Sequence, residues 1–353
     1  MKKISWSSSL LPNLERFNYA LFEPLKTTIS LYRPYYKQIL YFGDKMLHRR
    51  GQFKELFPSN SCKNFTISIT GLGSSKEFSC IISDVMPDLQ VQMNNQCFPL
   101  YYYEENTSKQ KGLFDDSNHE DYIRRDAISD FILERSKKQY GKNVVKEDIF
   151  YYVYGLLHSK EYKETFANDL KKMLPRLPLA EDVRDFWKFS KAGRTLADLH
   201  LNYETVASLA DVKVIGDDGT SYTVEKLRFP KKDQKDTIIY NSRIMITNIP
   251  SQAYKYVING KSAIEWIMER YQVTTHKESG IVNNPNDWAE EVGNPRYILD
   301  LLLSIINVSV QTVEIVNNLP KLNYDADTND VSPVKLYPHP TEDESFSIAS
   351  EPE

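Results

Sequence analysis

Tyr122-Ile-Arg-Arg-Asp-Ala-Ile-Ser-Asp-Phe-Ile-Leu-Glu-Arg-Ser-Lys-Lys-Gln-Tyr140 is the stretch in which the hydrophobic period of the chain changes. Ile123, Ala127, Ile128, Phe131 and Ile132 recur at helical spacing, about 3.6 residues. Upstream of Asp115 the pattern has a period near two. Short β-branched and aromatic runs, Ile29–Tyr32, Gln38–Phe42, Phe65–Thr70, Phe78–Ile82 and Leu89–Gln92, alternate with turn signals. Gly71-Leu-Gly73-Ser-Ser-Lys76 separates the third and fourth runs and reads as a hairpin-like turn whose glycines permit positive φ.

Downstream the helical reading continues. Asp148 is a candidate N-cap for Ile149-Phe-Tyr-Tyr-Val-Tyr-Gly-Leu-Leu-His158, an almost wholly apolar segment that predicts a buried helix. Glu161–Met173 is amphipathic and stops at Pro175 and Pro178, and Asp182–Phe189 and Thr195–Leu209 read as two further helices. Val212–Ile215, the turn Asp217-Asp-Gly219 and Tyr222–Leu227 predict a hairpin, with a second strand pair at Thr237–Tyr240 and Arg243–Ile246. Helix resumes at Ser262–Tyr271, and Pro295–Val316 is a long apolar helix ending near Pro320. The expected fold class is α+β, a mainly β N-terminal unit followed by a helical unit with a β-hairpin insertion. The expected bounds are 1–118 for the β unit, 119–210 for the helices, 211–260 for the insertion, 261–322 for C-terminal helices and 323–353 for a tail. That tail, rich in Asp, Glu, Ser and Pro, has too little apolar content to fold and is expected to be disordered.

The 353 residues are 41% hydrophobic and 26% charged, enough to bury a sizeable core. No run approaches eighteen consecutive apolar residues, and Met1-Lys-Lys-Ile-Ser-Trp-Ser7 lacks the features of a secretory signal, so a cytoplasmic location without a membrane partner is expected. The net charge of −4 is weighted by the acidic tail and leaves room for a basic face elsewhere. Cys62, Cys80 and Cys97 are odd in number and widely spaced, and the six histidines show no close pair, so neither a disulfide framework nor a metal site is expected.

Catalysis has no evident carrier. No Gly-x-x-x-x-Gly-Lys-Ser/Thr loop is present to wrap phosphates, and Gly71 to Lys76 has the wrong spacing for one. An adenine methyltransferase needs an Asn/Asp-Pro-Pro-aromatic loop, whereas Asn284-Pro285-Asn286 and Asn294-Pro295-Arg296 read as turns and helix starts. Glu161-Tyr-Lys163 has nuclease-like local spacing but falls on a predicted helix. A Gly-x-Ser-x-Gly elbow and a Cys/His constellation are missing. No cofactor is expected. Tyr151–His158 reads as core rather than a base-stacking platform, and His158, Ser159 and His200 read as helix-packing residues.

One segment is dense in side chains that grip nucleic acid: Tyr32-Arg33-Pro34-Tyr35-Tyr36-Lys37, followed by Lys45, His48-Arg49-Arg50 and Lys54. Composition alone favours an ordinary solvated face with aromatic core positions. A wider pattern shifts that balance. Ile4-Ser-Trp-Ser7, Ser30-Leu-Tyr-Arg33-Pro34-Tyr35, Thr70-Gly-Leu-Gly-Ser-Ser-Lys76 and Gln96-Cys-Phe-Pro-Leu-Tyr-Tyr-Tyr103 occur in order. Tyr152-Val-Tyr-Gly155-Leu-Leu-His158-Ser159, Asp169-Leu-Lys-Lys-Met-Leu-Pro175-Arg176 and Phe189-Ser-Lys-Ala-Gly193-Arg194 follow. Leu199-His200-Leu-Asn202-Tyr203-Glu204 and Ser279-Gly-Ile-Val282-Asn283 complete the set, which spans most of the chain.

Together these segments resemble the C-terminal specificity (target-recognition) domain of type ISP restriction-modification enzymes, single chains that join nuclease, helicase-like ATPase, adenine methyltransferase and recognition modules. The resemblance implies a non-catalytic module that reads double-stranded DNA through its β unit and presents an adenine to an upstream methyltransferase, in cis or in trans with the helicase-nuclease. On that footing Arg33, Lys37, Arg49, Arg50 and Lys76 are the candidate phosphate or base contacts, with Lys191 and Arg194 as weaker ones because Gly193 would start the helix that Arg194 decorates. Pro34 fixes the backbone beside Arg33, which leaves open that this arginine pairs with a carboxylate inside the fold. The alternative function is a protein-interaction module that docks the methyltransferase with little DNA contact of its own. Salt dependence separates the two, because a phosphate-gripping surface weakens steeply as salt rises.

Overall fold

In a computed structural model the protein is described over residues 10–18, 21–43, 46–47, 51–106, 121–277 and 279–322. Arg49, Arg50, Lys45, His48 and the acidic tail from residue 323 lie outside the described residues. The architecture is mixed α and β, in short sheets joined by helices.

A short helix α1 (Leu10–Glu15) precedes the hairpin β1 (Thr27–Arg33) and β2 (Tyr36–Tyr41), antiparallel with Ile29 opposite Ile39. Pro34 followed by Tyr35 at φ +58° is the backbone pattern of a type II turn, with tyrosine where glycine is usual. The left-handed conformation costs about 1–2 kcal/mol for such a residue. It is offset by complete burial of the Tyr35 ring, edge-on to Tyr203 at 4.9 Å. After α2 (Phe53–Leu56), β3 (Thr66–Ile69) is the centre of a second sheet between β4 (Cys80–Ser83) and β6 (Gln96–Pro99). The short strand β5 (Met86–Pro87) returns parallel to β1. The expected strand at Leu89–Gln92 is instead a run of turns, closed by backbone bonds from Val91 N to Asp88 O at 3.1 Å and from Asn95 N to Gln92 O at 3.2 Å, while the Gln92 side chain reaches into the sheet. Its buried amide donates to Ser68 O at 2.8 Å and accepts from Ser79 Oγ at 2.5 Å, tying β3 to the start of β4.

The period switch comes later than the sequence implies. Tyr122–Asp126 is a strand, β8, antiparallel to β7 (Tyr101–Glu105), and only Asp130–Tyr140 is helix, α3. Ser129 ends the extended run by accepting from Ile132 N as the N-cap. The partner that holds β8 straight, some twenty residues away in sequence, is invisible to a local periodicity. α4 (Lys146–His158) begins one turn earlier than expected, so that Asp148 sits inside the helix and accepts from Val145 N at 3.1 Å. α5 (Lys160–Thr165) is shorter than expected, its C-terminal part being turns.

The two helices expected around residues 182–209 are one, α6 (Val183–Leu201), capped by Asp182. Gly193 is not a start but a crossing point. A Cβ there would lie 1.8 Å from Tyr151 O, and one at Gly155 would lie 2.3 Å from Phe189 O, so α4 and α6 meet backbone to backbone. The insertion holds β9 (Lys213–Ile215), β10 (Ile238–Ile239) and β11 (Met245–Thr247). β9 pairs with β11, not with residues 222–227 as expected, since Val224 is held by the Asn286 side chain through two hydrogen bonds of 2.9 and 2.8 Å. The hairpin β12 (Val257–Ile258) and β13 (Lys261–Ser262) leads into α7 (Ala263–Arg270), whose Ser262 and Glu265 form a capping box. The small pair β14 (Thr274–Thr275) and β15 (Val282–Asn283) precedes α8 (Pro285–Glu291) and α9 (Tyr297–Asn317). α9 is long and apolar enough to cross a membrane by length and composition, yet most of it is buried in the core with Leu31, Ile81, Leu199, Ile246 and Ile267.

Candidate nucleic-acid interface

The cations singled out in the sequence divide by their partners. Arg33 Nη1 lies 2.9 Å from Asp88 Oδ1 and 2.5 Å from Tyr32 O, with its guanidinium 4.0 Å from the centre of the Tyr32 ring. Lys37 Nζ is 3.1 Å from Glu204 Oε2 and lies over the Tyr203 ring. Arg194 Nη2 is 3.0 Å from Asp148 Oδ1 and covers Tyr151, while Lys191 is an exposed residue of α6. Arg33, Lys37 and Arg194 thus each lie over one tyrosine ring and pair with one carboxylate, and each of the three pairs is partly exposed.

Lys76 has a different setting. It stands exposed at the end of the β3–β4 loop, and its side chain crosses the β12–β13 turn, where a Cβ on Gly260 would be 3.1 Å from Lys76 Cδ. Asn259 and Gly260 both have positive φ, +50° and +82°, the requirement of a tight two-residue hairpin turn. Gly260 also lines a cleft of about 530 Å³ whose walls carry Lys160 and Lys163 from α5, Lys171 beyond it and Lys255 before β12. Sequence reasoning missed these four, because they are spread over almost a hundred residues and no local run signals their convergence.

Chemically the floor of the cleft is neutral. Cys80 Sγ lies 3.4 Å from His158 Nδ1, so a cysteine and a histidine do meet, contrary to the expectation that no such constellation exists. Burial pushes the Cys80 thiol up to about 12 and the His158 imidazole down to about 3, so at neutral pH neither a thiolate nor an imidazolium forms and the pair is not an activated nucleophile. His158 Nδ1 is 2.9 Å from Tyr154 O and donates to it. Behind this floor runs a directional chain. Ile82 N donates to Tyr154 OH at 3.1 Å, Tyr154 OH to His200 Nδ1 at 2.7 Å, His200 Nε2 to Thr312 Oγ1 at 2.9 Å, and Thr312 to Val308 O at 2.7 Å. Each hydroxyl passes its proton one way only, which fixes His200 as the neutral Nε2–H tautomer. Burial holds it well below the usual histidine range. Among the described residues no group of three or more His, Cys, Asp or Glu converges as metal ligands.

The family model for the type ISP C-terminal specificity domain matches residues 1–301. No curated protein matches the chain. Among solved structures, the ATP-dependent type ISP restriction-modification enzyme LlaBIII bound to DNA superposes with a TM-score of 0.80 at 38% identity over 91% of this chain and 20% of that one. A nuclease-deletion mutant of the type ISP enzyme LlaGI, in complex with a DNA substrate mimic, gives 0.76 at 38% identity over 90% of this chain and 27% of its own. A DrdV–DNA complex gives 0.76 at 26% identity, over 91% of this chain and 31% of that chain. The chain thus spans about a fifth to a third of these relatives, and it belongs to the family of type ISP C-terminal specificity domains.

Proposed function

We propose that this chain is the target-recognition portion of a type ISP restriction-modification system: it holds duplex DNA, reads a short site and positions an adenine for a methyltransferase module, with a helicase-nuclease acting from the same assembly. The observation that carries this reading is the 38% identity, over 91% of the chain, to an enzyme of this type whose structure contains DNA. Extruding a base costs a few kcal/mol of unstacking, which contacts to the flanking duplex must offset. Arg33, Lys37, Arg49, Arg50, Lys76, Lys191 and Arg194 remain the proposed contacts from the sequence, the paired ones exchanging a carboxylate for a phosphate or base edge. A cytoplasmic location accords with that role.

The test is selection from a randomised duplex pool by the full chain. Enrichment of one short asymmetric sequence is expected, and retention without enrichment would overturn the specificity reading. An accompanying role has its own observation. Leu21, Phe22, Leu25, Ile29 and Ile39 are exposed on and beside the β1–β2 hairpin, an apolar face suited to docking against the remainder of a much longer enzyme.

A further inference from the structure

We infer that the lysine cleft between α5, the β12–β13 turn and the end of α9 is a phosphate-binding site. The inference deepens the DNA-recognition reading by naming where a phosphoryl group is gripped, and it rests on that reading for the DNA as source. Four lysines line the cleft, and Lys76 reaches its mouth across Gly260. None of the five forms an ion pair within the described residues, and the one side-chain hydrogen bond among them, Lys160 Nζ to Asn317 Oδ1 at 2.6 Å, is to a neutral amide. Glu77 and Glu164 stand in the walls but neither comes within ion-pair distance of a lysine.

Gathering four lysines around two unpaired wall carboxylates leaves an excess of positive charge that raises the energy of the free fold. Burial already holds the Lys163 ammonium below its ordinary range and Lys160 adds to the effect, while Glu164 and Glu77 act only in part against it. The neutral floor of Cys80, His158, Tyr256 and Thr312 supplies nothing that offsets the excess. A phosphate entering between the walls supplies negative charge and charged acceptor oxygens, two on a diester and three on a terminal phosphoryl group, to ammonium groups of which only Lys160 has a side-chain acceptor among the described residues. A carboxylate fits the geometry less well, because its two oxygens lie in one plane with the carbon, whereas phosphate oxygens point tetrahedrally towards donors arriving from several elements. The volume, about 530 Å³, admits either a backbone phosphodiester with its flanking sugar or a free nucleotide.

Lys171 and Lys255 are exposed, so Lys171→Gln/Lys255→Gln should leave the fold intact, and Lys163→Met keeps the aliphatic stem of the half-buried residue. Binding of a fluorescent duplex is titrated against salt for the wild-type chain and both variants, and binding of a nucleoside triphosphate and of inorganic pyrophosphate is followed by calorimetry. If the source is DNA, the double variant lowers the salt slope by about two units and weakens binding on the order of a hundredfold at 50 mM salt, converging on the wild type near 1 M. If the source is a free nucleotide, the wild type binds the triphosphate and both variants lose it while duplex binding is unchanged. Duplex binding by the wild type with an unaltered slope in both folded variants, and no binding of either small ligand, overturns the site but leaves the recognition reading standing. Binding of pyrophosphate without binding of any duplex does the reverse.

Discussion

The β1–β2 hairpin and the lysine cleft are both basic, and they differ in what happens to the charge. At the hairpin, cations adjacent in sequence are met by acids from distant elements: Asp88 takes Arg33, and Glu204, which also accepts from Tyr297 OH at 2.6 Å, takes Lys37. At the cleft, cations distant in sequence come together and stay unpaired. Density of charge along a chain thus says little about density of available charge in space. A run of basic residues flanked by tyrosines sits where the chain folds on itself and finds partners, while scattered lysines are free to define a field. The two regions share a frame, because α4 carries His158 to the floor of the cleft and α6 leads directly into Tyr203 and Glu204 behind the hairpin.

The largest expected effect falls on that frame. Gly193→Ala gains up to about 1 kcal/mol of helix propensity. It also places a Cβ against Tyr151 O, and overpacking of this kind should cost about 3 kcal/mol net or prevent folding. Urea unfolding reads this directly, and a wild-type midpoint would show that the α4–α6 crossing does not hold the two regions together.

Next is the pH dependence of the wall between them. His158 and His200 are fully buried and neutral, with folded pKa values below the unfolded one, so the unfolded chain binds more protons at acid pH. Their stabilising contribution is complete above about pH 6.5 and is lost as pH falls, for His158 down to about 3. Each should cost on the order of 1.4 kcal/mol per pH unit inside that window. Thermal melts from pH 7 to pH 5 should fall steeply, and His200→Gln should flatten the slope; an unchanged slope would place the histidines in contact with water.

The third prediction sets the regions against each other. Arg33→Ala removes a half-buried ion pair and a cation–aromatic contact and should cost about 1 kcal/mol of stability. Lys163→Met removes a buried charge that has no ion pair and that nearby Glu164 and Glu77 offset only in part, and it should leave stability unchanged or slightly raised. If the signs are reversed, the hairpin cations are the available ones and the cleft is structural. The smallest effect is expected for Lys37→Met, below about 0.5 kcal/mol and vanishing at high salt, as for other part-exposed pairs.

Much of the fold was legible because it rests on local chemistry. Caps and breakers gave α7 at Ser262, α8 at Asn284-Pro285 and α9 after Pro295, and alternating runs gave β1, β2 and β3. The misreadings have one physical origin. β8 is extended because β7 pairs with it, 222–227 is not a strand because Asn286 occupies its backbone, and Gly193 lies mid-helix because α4 presses against it. Each is settled by a partner far along the chain, which no window of ten or twenty residues contains.

The candidate site follows the same division. The sequence by itself determined the α+β class, the buried helix over residues 149 to 158, though not its first turn, and the family to which the chain belongs, because propensity, period and motif order are properties of neighbours along the chain. Lys76 was legible as well, as an exposed cation in a glycine-bearing loop. Which charges are spent and which are free was decided only by tertiary structure. Ion pairing depends on distances of a few ångströms between groups far apart in sequence, such as Arg33 with Asp88, 55 residues apart, and Lys37 with Glu204, 167 residues apart.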